Sequence, residues 1–185
     1  MKRFSTQSLL SEKDKKLVGH LVKKKKAKGL NVYFNKTKST GKPKYFSGKF
    51  YSKKNDDTYT FRSSYELKCF QDLEKDTTVS SYLSEVLNIP YTDRYKKERI
   101  YVPDIIVMYK DGTTCIWEVK PEAMLADYDV KAKAKACKSF MKTMYPDQEV
   151  GYRFMTEKVL FKTDRAYVDF LNKNRNKNFE KKVNK

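Results

Sequence analysis

Two apolar runs joined by Lys110-Asp111-Gly112 constrain this chain more than any other feature. Residues 101–109 and 113–120 are β-branched and aromatic and are bounded by turn residues, the composition of paired strands. A three-residue loop closing on a glycine in the left-handed region pairs Tyr109 with Thr113. Counting outward, Asp104 falls opposite Glu118 and Val102 opposite Lys120. Opposed residues share a face, as do residues two apart on one strand. Asp104, Glu118 and Lys120 therefore project to one side of the sheet. Two acids and an ammonium inside apolar strands are costly to bury unless they pair or hold a metal. Taken singly, each element reads equally well as a solvated charge or a weak exposed ion pair. In register, the three make a candidate site.

The charge is unevenly spread. Residues 1–60 carry 17 Lys and Arg against 4 Asp and Glu, residues 61–160 carry 16 of each, and residues 161–185 carry 8 against 3. A neutral centre between strongly basic ends is the footprint of a polyanion binder. Rings interleaved with the lysines (Tyr33, Phe34, Tyr45, Phe46, Phe50, Tyr51) favour DNA or RNA over a membrane surface, because they can stack on bases. No run reaches the roughly 20 apolar residues that cross a bilayer, and the basic N-terminus lacks the apolar segment of a signal peptide. Cys69, Cys115 and Cys137 are widely spaced in apolar segments and read as reduced thiols of an intracellular protein. His20 is the only histidine. That argues against histidine-dependent hydrolysis and His-ligated zinc, and leaves carboxylates and lysines as the catalytic groups.

Residues 11–28 fit a helix capped by Ser11 that ends in Lys23, Lys24, Lys25 and Lys26, where cations suit the dipole. Residues 30–60 alternate short aromatic runs with Gly and Pro, predicting ribbons or extended arms. Ser63-Ser64-Tyr65-Glu66 is a capping-box pattern, and Tyr65, Cys69, Phe70 and Leu73 follow at helical spacing, predicting a helix over residues 64–75. Residues 83–91 predict a first, bent strand, disturbed by Asn88 and Pro90. Residues 98–109 and 113–120 are the second and third strands. Val130, Ala134, Cys137, Met141 and Met144 form the stripe of a long helix ended by Pro146. Its flank carries Lys131, Lys135, Lys138 and Lys142, and Glu122, Asp127 and Asp129 read as its first-turn charges. Residues 150–155 predict a last strand, parallel to the third through a right-handed crossover. Trp117 reads as core. Gln71 and Lys135 are further candidates for contact with the site or with DNA, though no spacing compels either. The domain reading is a basic extension over residues 1–60, a core over 61–162 and a basic tail over 163–185.

The order α-β-β-β-α-β, with Pro103-Asp104 on one strand and Glu118-Val119-Lys120 on the next, resembles the PD-(D/E)XK nuclease superfamily. The stretches Phe61-Arg62-Ser63-Ser64-Tyr65-Glu66, Tyr101-Val102-Pro103-Asp104, Glu118-Val119-Lys120-Pro121 and Tyr152-Arg153-Phe154-Met155-Thr156-Glu157 are similar to TnsA-type transposon endonucleases. They also resemble the small head-completion nucleases of tailed phages. The resemblance implies an α/β fold: a restriction-endonuclease-like core whose mixed sheet is flanked by helices, with a basic N-terminal extension added. It implies that Asp104, Glu118 and the carbonyl of Val119 hold Mg²⁺, with Mn²⁺ able to substitute, and that Lys120 is the third member of the site. Glu66 is carried over as a fourth, acidic residue. Its place in a capping box gives it an equally physical structural reading.

The function so implied is a metal-dependent endonuclease cutting DNA with little sequence preference, in phage DNA packaging, head completion or DNA processing. Lys23, Lys24, Lys25, Lys26, Lys42, Lys44, Lys131 and Lys135 are its candidate DNA contacts. Viral structural or DNA-packaging proteins are candidate partners, and the host cytoplasm or the virion is the implied location. The alternative is a nucleic-acid-binding structural protein of a virion neck that keeps the fold without the chemistry.

Overall fold

The computed structural model of the chain describes residues 30–36 and 43–175. Its elements run β1 (Leu30–Lys36), β2 (Pro43–Ser52), β3 (Asp57–Phe61), α1 (Ser64–Lys75), β4 (Val79–Ser84), β5 (Ile89–Thr92), β6 (Glu98–Tyr101), β7 (Ile105–Tyr109) and β8 (Thr114–Val119). A 3-10 turn (Glu122–Met124), α2 (Tyr128–Met144), β9 (Val150–Met155), α3 (Glu157–Phe161) and α4 (Asp164–Arg175) complete them. Packing divides the chain into two compact units. One holds Asp76–Met155, and the other contains the described residues within Lys24–Lys75 and Thr156–Lys185.

In the first unit, β4, β7, β8 and β9 form a sheet in that order. β4 and β8 lie antiparallel to β7, and β9 runs parallel to β8 after the α2 crossover. The hairpin forms as its residues dictate. Gly112 takes φ +91°, the conformation glycine adopts without steric cost. Tyr109 N–H donates to the Thr113 carbonyl at 2.9 Å, and the Asp111 carboxylate accepts from Thr113 N–H at 2.8 Å. The ladder then pairs Met108 with Thr114 and Ile105 with Trp117, the expected register, and stops one residue short of Asp104 and Glu118. Asp127 caps α2 by accepting from Asp129 N–H at 2.8 Å and Val130 N–H at 3.4 Å. Val130, Ala134, Cys137 and Met141 are its buried face, as the spacing predicts. Cys137 and Met141 join Val86, Leu87, Ile89, Ile106 and Ile116 in one apolar cluster. Full burial of a valine- or methionine-sized side chain contributes about 1.5–3 kcal/mol.

Two expected strands break. Residues 98–109 do not run through: β6 ends at Tyr101, Val102-Pro103-Asp104 intervene, and β7 starts at Ile105. Pro103 has no N–H to give a ladder, and β6 pairs instead with β5 in a separate two-stranded ribbon. Val102 therefore does not pair with Lys120. Residues 83–91 likewise divide between β4 and β5, with Glu85 between them at φ +54°. The ribbon is thus an insertion between β4 and β7. Asp93 ties its turn by accepting from Tyr95 N–H at 2.8 Å, Lys97 N–H at 2.9 Å and Arg99 Nε at 3.0 Å. Arg94 ties it to the start of α2, reaching Asp127 at 2.5 Å and Asp129 at 2.9 Å.

The second unit contains an antiparallel β1-β2-β3 meander, the ribbon alternative of the reading of residues 30–60. Phe50 stacks on Phe70 of α1 at 5.7 Å, Tyr59 lies 5.5 Å from the same ring, and Phe46 is buried 5.9 Å from Phe61. Phe46 is thus buried and Phe50 half-buried against α1. Composition drew its domain edges at 60/61 and 162/163, whereas packing draws them at 75/76 and 155/156. The expected C-terminal tail contains α4, which buries Phe170 and Asn174. Phe161 packs on Tyr65 and Phe170, and Asn174 accepts from Gln71 Nε2 at 2.9 Å. The helix expected over residues 11–28, with Lys23, Lys24, Lys25 and Lys26, lies outside the described residues, as does Lys42; Lys44 is in β2. Cys69 and Cys137 are buried, Cys115 is half-buried, and all three are free thiols. No helix among the described residues is long and apolar enough to cross a membrane.

Hydrogen bonds from Arg94 hold the Asp127 carboxyl below its usual pKa, and hydrogen bonds from Lys97 N–H first, then Arg99, do the same for Asp93. A lowered folded-state pKa gives stability that is present above the unfolded value and lost as pH falls through the folded one. Arg94→Met removes the largest cause of that lowering at Asp127 and leaves the cap hydrogen bonds from Asp129 and Val130 N–H. Between about pH 5 and pH 2 the wild type should therefore lose more of its urea midpoint than the variant. Equal losses would show that Arg94 does not govern the carboxyl.

Candidate active site

Asp104 leaves the end of the Val102-Pro103 break with both its backbone and its side chain held. Its carbonyl accepts from Glu85 N–H at 3.2 Å, and its Oδ2 accepts from Val119 N–H at 2.7 Å. Glu118, on β8, is only 2% exposed. Its Oε1 lies 2.9 Å from Lys120 Nζ, and its Oε2 accepts the Tyr101 hydroxyl proton. Lys120 follows the strand, anchored by its N–H to the Met155 carbonyl at 3.4 Å. Its ammonium also donates to the Val119 carbonyl at 3.1 Å and stands 3.8 Å from Asp104 Oδ2. Oxygens of Asp104, Glu118 and Val119 thus converge on one cationic atom.

The charge of Glu118 is felt around it. Burial first, and then the Glu118 carboxylate, push the Tyr101 hydroxyl far above its usual pKa, so it remains a proton donor. Tyr152 is raised for the same two reasons, and the Cys137 thiol is pushed up to about 12 by burial and then by Glu118. Tyr101 and Tyr152 hydroxyls are 3.2 Å apart. Lys133 lies over the rings of Tyr91 and Tyr101, and Lys138 over Tyr152.

The remaining candidates have contacts within their own units. Glu66 lies in the other unit, at the third position of α1. Its carboxylate accepts from Arg62 N–H at 2.9 Å and the Ser63 hydroxyl at 2.8 Å, while its own N–H donates to Ser63 Oγ at 3.1 Å. The capping reading has its hydrogen bonds. Gln71 is engaged with Asn174 in that same unit. Asp127 and Asp129 are the cap and first turn of α2, with Glu122 one 3-10 turn earlier. Lys131, Lys135, Lys138 and Lys142 are all exposed on α2, and Trp117 is buried.

Tyr101 and Tyr152 were not legible as site residues. A signal existed for Tyr152: β8–β9 pairing sets Phe154 beside Glu118 and Tyr152 beside Ile116, so alternation puts Tyr152 on the Glu118 face. Tyr101 had none, because it reaches Glu118 from the inserted ribbon, outside the ladder that carries the acid.

Residues 76–157 match the family model described as TnsA-like endonuclease N terminal. The matched stretch starts with the first compact unit and ends two residues past it, so it takes in the hairpin, α2 and β9 but leaves out Glu66. No curated protein matches the chain. Over this unit the chain resembles the TnsA-type endonucleases, relatives of the PD-(D/E)XK nucleases.

Proposed function

We propose that the protein is a Mg²⁺-dependent endonuclease that hydrolyses DNA phosphodiester bonds with little sequence preference. The observation that carries this reading is the convergence of Asp104, Glu118 and Val119 oxygens on the ammonium of Lys120, inside the unit that resembles a nuclease. The donor set suits the metal. It offers two carboxylates and a carbonyl, hard oxygens that already gather around a positive charge. Among the described residues no group of three or more His, Cys, Asp or Glu gathers to hold an ion. Mg²⁺ needs no more, because it keeps several waters and takes one or two carboxylates. Asp104, Glu118 and the Val119 carbonyl would hold it, and Mn²⁺ would substitute. When bound, the metal supplies polarisation of the scissile phosphate and a lowered pKa for the attacking water.

The chain's own groups do the rest. Val119 N–H fixes one oxygen of Asp104, so that carboxylate is set in place before substrate arrives. Lys120, about one-quarter exposed and on a flexible stem, orients the water or neutralises charge developing on the phosphate oxygens. The water oxygen attacks phosphorus and gives up a proton to solvent, the bond to the leaving sugar oxygen breaks, and that oxygen takes up a proton from solvent. Exposed Lys131 and Lys135 on α2 are proposed phosphate contacts, together with Lys23, Lys24, Lys25, Lys26, Lys42 and Lys44 of the basic N-terminal segment. The setting that goes with this reading is phage DNA processing or head completion. It is supported by the resemblance to small head-completion nucleases and by the lysine-rich composition.

Asp104→Ala should abolish cleavage while DNA affinity stays intact or rises, because the change removes a metal ligand and a repulsion with phosphate together. Lys120→Ala should lose at least about 10²-fold in rate, the scale of one transition-state contact. Binding isotherms and cleavage rates on the same duplex check both. Parallel loss of binding and cleavage would make Asp104 structural, and near wild-type turnover would remove Lys120 from the mechanism.

Glu66 as a fourth acid is separable from Glu66 as a cap. Ser63→Ala and Glu66→Ala should each lower stability by about 1 kcal/mol, the usual cost of a lost cap. A catalytic Glu66 would add a loss of rate that Ser63→Ala does not show. Matching rates in the two variants would leave the residue with its cap alone.

A further inference from the structure

The proposed site leaves one contact unused. Glu118 is nearly fully buried and carries a partner on each oxygen, but the partners differ in kind. Oε1 meets the Lys120 ammonium, a cation on a flexible and partly exposed side chain. Oε2 meets the Tyr101 hydroxyl, on a residue 3% exposed that sits in the apolar cluster with Ile89, Ile106 and Cys137. Tyr101 spends its one proton on Glu118, and Tyr152 lies within hydrogen-bond distance of its oxygen, able to donate in turn. The two oxygens are therefore unequal. One faces an exchangeable cation, and the other is held by a fixed donor.

We infer that Tyr101 is a positioning residue that reserves one oxygen of Glu118 and leaves the other for a cation, and so sets which divalent metal the site prefers. The inference rests on the metal-dependent reading above. A carboxylate with one oxygen occupied binds a metal through the other alone. That suits a small ion with strict octahedral geometry, whereas Ca²⁺ accepts both oxygens of one carboxylate and higher coordination numbers. A partner that orients a ligating group changes affinity by about 10- to 100-fold when it is lost. Tyr101→Phe deletes one oxygen atom and keeps the ring that packs in the core. Tyr152→Phe keeps the donor to Glu118 but removes the group that polarises it.

The test is metal binding by the full chain without nucleic acid, titrating Mn²⁺ and Ca²⁺ separately into wild type, Tyr101→Phe and Tyr152→Phe. Tyr101→Phe should bind Mn²⁺ about tenfold more weakly and lose less for Ca²⁺, so that its preference moves towards Ca²⁺. Tyr152→Phe should move the same way by less. Unchanged affinities for both ions in a folded Tyr101→Phe would overturn the assignment while leaving the nuclease reading intact. Should Tyr101→Phe give no cooperative melt, an unchanged Mn²⁺ to Ca²⁺ ratio in Tyr152→Phe overturns it equally. A wild type that binds neither ion would instead remove the metal site itself, and the role of Tyr101 with it.

Discussion

A carboxylate buried to 2% exposure is the interaction on which this site depends. Removing an ion from water carries an effective penalty of several kcal/mol, recovered only when geometry and hydrogen bonding are good. Glu118 meets that demand from two directions, with the Lys120 ammonium at 2.9 Å on one oxygen and the Tyr101 hydroxyl on the other. A hydrophobic residue of similar size would fill the position at no such cost. The strands around it are otherwise apolar, and β7 is buried from Ile105 to Met108. A charge kept in such surroundings is a reasonable mark of chemistry, since clusters of this kind gather at functional sites.

The scaffold follows from the need to bring those partners in. The hairpin supplies Asp104 from one side of its break and Glu118 and Lys120 from the other strand. The β5–β6 ribbon, inserted ahead of β7, supplies Tyr101 at its last residue, and β9 supplies Tyr152. The ribbon is held at its turn by Asp93 and to the head of α2 by Arg94. Interruption of the strand at Pro103 has a use here. It frees Asp104 from the ladder, so its carboxylate can accept the Val119 N–H at 2.7 Å.

Much of this was legible in the sequence because it is local. A three-residue loop with glycine at its end fixes a register, and that register holds from Met108–Thr114 to Ile105–Trp117, which carries Asp104 and Glu118 to neighbouring positions at its end. Apolar spacing fixed the faces of α1 and α2, and the Ser63 cap marked where α1 begins, whereas Asp127, read as a first-turn charge, is the cap of α2. What failed was non-local. Residues 98–109 alternate well enough to pass for one strand, and only pairing of β6 with β5 splits them. Charge concealed the rest. Lysines around Phe46 and Phe50 gave those rings the look of a nucleic-acid surface, whereas they and Tyr59 pack on Phe61 and Phe70. The basic C-terminal stretch, read as a tail, is α4, and it buries Phe170 and Asn174 one helical turn apart.

The most direct measurement is the fate of supercoiled plasmid incubated with the full chain in Mg²⁺ or in EDTA, with Glu118→Gln alongside. Relaxed or linear DNA in Mg²⁺ alone, absent with EDTA and absent with the glutamine variant, is the outcome that follows from a buried carboxylate serving a metal. Intact plasmid throughout, with DNA still bound, would contradict it and leave a nucleic-acid-binding protein that keeps a nuclease fold. Cleavage that survives Glu118→Gln would place the chemistry elsewhere in the chain.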